Sequence, residues 1–123
     1  MNETAQYIKA ELLKLGADDV VVLTLKDNTS QVKFSNNKIS VTKDWDLLST
    51  SIFMSYKQRI VSTSIKEHSK EIIKQTLKTL ISMAKETQPN KEYKGIAQGP
   101  FMYKTIENIY DPKAQDVNTI DLI

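Results

Sequence analysis

The fold class this sequence predicts is α+β: a mainly antiparallel sheet of about five strands with two helices packed on one face, followed by an extended C-terminal segment. Three observations predict it. Apolar residues recur at helical spacing in two separate stretches, near residues 5–15 and 65–84. Between those stretches the apolar residues alternate or run together as strand residues do. All three prolines fall at or beyond Pro89, where the chain reads as connector.

Each element follows from its residues. Ala5, Ile8, Leu12 and Leu15 form one stripe of an amphipathic helix, with Glu3, Lys9 and Lys14 outside it. Gly16 stands where a left-handed cap ends such a helix without the steric cost of a Cβ. Val20 to Leu25 is β-branched and almost wholly apolar, which predicts a central strand covered on both faces. Asp27 and Asn28 supply turn chemistry, and Val32 and Phe34 then alternate in a second strand. Asn36-Asn37 suits a type I′ hairpin turn, and Ile39 and Val41 resume beyond it as a third. After Asp44-Trp45-Asp46, a fourth strand runs from Leu48 through Ile52 and Met54 to Tyr56. A fifth, Ile60 to Thr63, follows the polar turn Lys57-Gln58-Arg59.

Ser64-Ile65-Lys66-Glu67 fits a capping box and predicts that the second helix starts there and lasts to about Thr87, before Pro89. Its apolar stripe includes Ile65, Ile72, Ile73, Leu77, Leu80, Ile81 and Ala84. Residues 1–87 thus read as one α-β(5)-α domain and 88–123 as an extended connector. Val117, Ile120 and Ile123 begin a further helical spacing that stops without a C-terminal cap, so the sequence reads as truncated.

The chain of 123 residues has room for one ordinary core, and its 40% hydrophobic and 26% charged residues argue against disorder. Lys+Arg 17 against Asp+Glu 15 gives a net charge of +2, which demands no polyanionic partner. The absence of cysteine excludes disulfides, thiolate nucleophiles and Cys-ligated metals. No segment approaches the roughly 18 apolar residues of a membrane span. The N-terminus carries Glu3 where a signal peptide would be basic, so a cytoplasmic location is expected.

Chemistry is sparse. His68, with Glu67 and Glu71, could be imagined as part of a metal site, but helical zinc-protease motifs need two histidines at i and i+4 and this chain has one. A solvated or partly packed first-turn histidine is the preferred reading. The serines alternate along strands without the strained G-x-S-x-G presentation of a nucleophile. Asp44 and Asp46 flank Trp45 as a paired-carboxylate site would, yet no further acid or base accompanies them, and a polar corner with an aromatic plug is preferred. Three glycines, none in a phosphate-loop pattern, leave nucleotide binding unsupported. Lys66, Lys70, Lys74 and Lys78 form a ridge that could meet phosphates, but Glu67 and Glu71 beside it favour a solvated helix face. No catalytic, cofactor-binding or metal-ligating residue is nominated.

Five segments in fixed order carry a resemblance. They are Gly16-Ala17-Asp18-Asp19, Asn37-Lys38-Ile39-Ser40-Val41, Ser62-Thr63-Ser64, Tyr93-Lys94-Gly95-Ile96-Ala97 and Ile109-Tyr110-Asp111-Pro112. Together they make nearly the whole chain resemble the N-terminal domain of the TldD/PmbA family, also called putative modulators of DNA gyrase, whose characterised members are zinc metalloproteases. The chain departs from that family at Ser49-Thr50-Ser51-Ile52, where relatives often carry glycines, and at Arg59, the remnant of an arginine-rich strand. The resemblance implies a non-catalytic domain that helps to form a substrate cleft or assembly surface. Zinc is expected in the full-length family protein and no cofactor in this chain, which alone is expected to be inactive. It also implies peptide or unfolded-polypeptide substrates and homodimers or family heterodimers, while the short apolar runs and the charge of +2 argue against a membrane and a nucleic-acid partner. The alternative is a small RNA-binding or protein-interaction module of α-β-β-β-α type, which five strands, Glu67 and Glu71, and a charge of +2 argue against.

Overall fold

The computed structural model describes residues 2–117 and 119–122. In chain order it has α1 (Asn2–Lys14), β1 (Asp19–Ser35), β2 (Lys38–Tyr56), β3 (Arg59–Ile65) and α2 (Lys70–Glu86). Short 3-10 turns follow at Pro112–Gln115 and Thr119–Leu122. The chain forms two compact units, one of Met1–Lys26 with Leu47–Ala97 and the other of Asp27–Asp46 with Gln98–Ile123.

The α+β class and the antiparallel sheet stand, but the sheet has three strands in the order β1-β2-β3 and not about five. The expected first and second strands are one, β1, and the third and fourth are one, β2. Turn-forming residues were the misleading signal. Asn28 donates its side-chain amide to Asp46 on the neighbouring strand, and Thr29 Oγ1 donates to Asp27 Oδ1 at 3.1 Å, so these polar groups are satisfied without reversing the chain. Both real reversals are two-residue turns with left-handed centres: Asn36 and Asn37 at φ 51° and 57°, and Lys57 and Gln58 at 49° and 62°.

The expected place of Val20 to Leu25 is also corrected. The central strand is β2, and β1 lies at one edge of the sheet, with its odd residues on a face that no helix covers. Val21, Leu23 and Leu25 are 45%, 53% and 54% exposed, whereas Val20 is buried and Val22 half-buried.

In the first unit, α1 and α2 share one face of the sheet. Ile8 and Leu12 from α1, and Ile73, Leu77, Leu80, Ile81 and Ala84 from α2, enclose the core with Val20, Ile52, Met54 and Ile65. The amphipathic stripe of α1 holds at Ile8 and Leu12, though Leu15 is exposed. Its end is a Schellman motif: Gly16 at φ 96° donates N–H to Leu13 O, and Ala17 donates to Leu12 O, both at 3.0 Å.

The second helix starts later than the capping-box reading placed it. Ser64 lies in β3 opposite Ser51, and Ser69 is the N-cap, its hydroxyl accepting from Ile72 N at 3.4 Å. Pairing of β3 with β2 claims Ser64 before it can cap, so strand register overrides a local motif.

The second unit contains the far ends of β1 and β2 with their Asn36-Asn37 turn, and the C-terminal stretch. There Asp111 caps the first 3-10 turn by accepting from Lys113 N at 2.9 Å. Of the spacing Val117, Ile120, Ile123, the last residue lies outside the described residues. Among the described residues no helix is long and apolar enough to cross a membrane.

Candidate functional site

The two sides of the sheet in the first unit have different chemistry, and strand alternation produces both. Register pairs Ile52 with Thr63 and Met54 with Val61 on the helix side, and Ser51 with Ser64 and Phe53 with Ser62 on the other. The helix-free side therefore has a floor of small hydroxyls beside a row of apolar side chains from β1. Val21, Leu23, Ser51, Phe53, Ser62 and Ser64 line a shallow trough of about 510 Å³ on it. Serines keep that floor low and able to hydrogen-bond, and the apolar row gives it an unsatisfied hydrophobic area.

Residues 87–97 cross one end of this side as a strap. Arg59 Nε donates to Thr87 O at 2.9 Å, and Asn90 N donates to Gln58 O at 2.8 Å. Tyr93 is the anchor. Its hydroxyl donates to Asp19 Oδ2 at 2.9 Å, and its ring lies 6.1 Å from that of Phe53 at a 51° tilt. Ser55 Oγ also donates to Asp19 Oδ2 at 3.0 Å and accepts from Asp19 N at 3.1 Å, so the buried serine is satisfied on both sides. Partial removal from water, and then the bond to the Asp19 carboxylate, hold the Tyr93 phenol above its ordinary value of 10.0. Gly95 follows at φ 98°, where a side chain would be strained, 3.7 Å from Asp19 Oδ2 at the point a Cβ would occupy. Two segments that carried the resemblance, Gly16 to Asp19 and Tyr93 to Ala97, thus meet in space. Sequence reasoning missed this contact because 74 residues separate its two ends.

The residues weighed for catalysis fall elsewhere. His68 precedes the N-cap of α2, and its Nε2 shares a 2.8 Å hydrogen bond with the fully buried Thr50, which shares another of 3.0 Å with Thr24. Glu67 accepts from Ser69 Oγ at 3.1 Å, and Glu71 sits exposed in the first turn of α2. Among the described residues no three His, Asp or Glu side chains converge as a metal site would require. The donor set does not fit zinc, since the single imidazole is engaged by a hydroxyl and its neighbouring acids do not join it. Asp46 is taken by Asn28, and Trp45 is exposed on β2, so it plugs no corner. Lys70, Lys74 and Lys78 are exposed along α2, while Lys66 lies before it, in the bend after β3.

No family model and no curated protein match the sequence. Among solved structures, TldE from Thermococcus kodakarensis, of the TldD/PmbA family, is similar to this chain with a TM-score of 0.72 and 16% identity. The similarity covers 85% of this chain and 24% of TldE, so the chain spans about a quarter of that protein's length. The resemblance carried by the five sequence segments is thereby matched in three dimensions: the chain has the fold of a TldD/PmbA-type domain.

Proposed function

We propose that this chain is a non-catalytic domain of a TldD/PmbA-type zinc metalloprotease and that its helix-free sheet side forms part of a substrate cleft or an assembly surface. The observation that carries the reading is the likeness to TldE over 85% of the chain. The trough of Val21, Leu23, Ser51, Phe53, Ser62 and Ser64 supports it, because an open sheet face suits an extended polypeptide better than a compact ligand. Zinc, hydrolysis and a cytoplasmic setting belong to the same proposal and are assigned to the complete enzyme. Among the described residues no three His, Asp or Glu side chains group as ligands, which supports assigning the metal elsewhere in that enzyme.

The test is a binding and cleavage assay of the whole chain with a reduced, unfolded polypeptide, with and without zinc. Binding without cleavage is the expected result, weakened by Phe53→Lys or Ser51→Lys. Zinc-dependent cleavage by this chain would overturn the non-catalytic assignment. The α1-β1-β2-β3-α2 order gives the RNA-binding alternative one observation in its favour, since three strands remove the strand-count objection. Duplex RNA titrated at two salt concentrations separates the readings, salt-sensitive binding through Lys70, Lys74 and Lys78 being the outcome that would favour RNA.

A further inference from the structure

The edges of the sheet are unequal. On one side β3 is a strand of only seven residues, Arg59–Ile65, with the hydroxyl residues Ser62, Thr63 and Ser64 before its last residue. On the other, β1 offers Val20-Val21-Val22-Leu23-Thr24-Leu25, with no charge and no proline over six residues. Edge strands of this length in monomers are blunted by lysine, proline or brevity, because an open ladder pairs with any extended chain that reaches it. Residues 20–25 carry none of these devices, and the apolar row on the helix-free side is half exposed.

Charge selects the occupant. The strand is flanked by Asp18 and Asp19 at its start and by Lys26 at its end. A second copy running antiparallel brings the lysine of each chain to the acidic end of the other, whereas a parallel copy would set acid against acid. A two-fold axis perpendicular to the sheet keeps each face continuous, which requires odd residues to meet odd and even to meet even. Centring that axis on Val22 satisfies all of these conditions at once. Val21 then faces Leu23 of the second copy, Val20 faces Thr24, and Asp18 faces Lys26. Moving the centre to Leu23 would instead bring Asp19 to Asp27.

We propose that β1 of one chain pairs antiparallel with β1 of a second copy, with Val22 on the two-fold axis, so that two three-stranded sheets become one. The inference rests on the assembly half of the proposed function and names its partner. Backbone ladder bonds and the Val21–Leu23 cross-strand pairs hold the two copies, and the two lysine–aspartate pairs set their direction.

The chain has no cysteine, which makes the test clean. Val22→Cys places one thiol opposite its own copy at a Cα separation of about 4.5–5.5 Å, inside the range of about 4.4–6.8 Å for a disulfide. Mild oxidation of the full chain is expected to yield a covalent dimer for Val22→Cys and none for Leu25→Cys, whose thiols would stand about 20 Å apart. Sedimentation of the unmodified chain over a concentration series should show reversible dimers. Leu23→Lys should raise their dissociation constant at least about 10-fold, with the helical circular dichroism retained. A chain that stays monomeric throughout the series, or equal cross-linking at both cysteine positions, would overturn the proposal. If the chain is monomeric and the unfolded polypeptide still binds, self-pairing alone fails. Loss of both sinks the assembly reading and the cleft reading together.

Discussion

Thr50 is the residue on which the interior polar chemistry turns. Its hydroxyl is fully buried and bonded to both Thr24 and His68, so removing it strands two partners. Thr50→Val is expected to cost about 1–2 kcal/mol in urea unfolding, and Thr50→Ser markedly less, because serine keeps the hydroxyl. Tyr93 gives a pH dependence with a definite sign. Its phenol is held above 10.0 in the folded chain, so the folded state binds the proton more tightly than the unfolded one. The stability this contributes is complete below the unfolded value and is lost as pH rises through the folded one. As pH rises above about 10, the unmodified chain should therefore lose stability faster than Tyr93→Phe. At neutral pH the phenylalanine variant should be the weaker by about 1 kcal/mol, for want of the bond to Asp19.

At the scale of elements, the start of α2 makes the sharpest prediction. Ser69→Ala should cost about 1 kcal/mol by removing the cap, and Ser64→Ala on the exposed sheet side much less, as measured by thermal unfolding. The two serines also show what was legible in the sequence. Elements governed by neighbours in the chain could be read directly: α1 with its Gly16 cap, and the Asn36-Asn37 hairpin. Ser64 and the Asp27-Asn28 turn signal could not, because each is claimed by a residue on another strand, Ser51 in one case and Asp46 in the other. The run Val20 to Leu25 has the composition of a strand covered on both sides, yet it stands at an edge. Composition reports that apolar surface must be covered, and the sheet of a single chain need not be what covers it. The serine side of the candidate site was visible as alternation, whereas the Tyr93–Asp19 anchor left no trace in local spacing.

For the whole molecule, an asymmetric sheet explains more than any single residue. One side holds the two helices and the core, and the other holds hydroxyls, an apolar row and a strap fastened at one end. The proposed binding role rests on that division. The most direct measurement is an amide chemical-shift titration of the isotopically labelled chain with an unfolded polypeptide. Shifts centred on Val21, Leu23, Ser51, Phe53, Ser62 and Ser64 are the predicted result. Shifts confined to Lys70, Lys74 and Lys78 on α2, with the sheet amides unmoved, would contradict it.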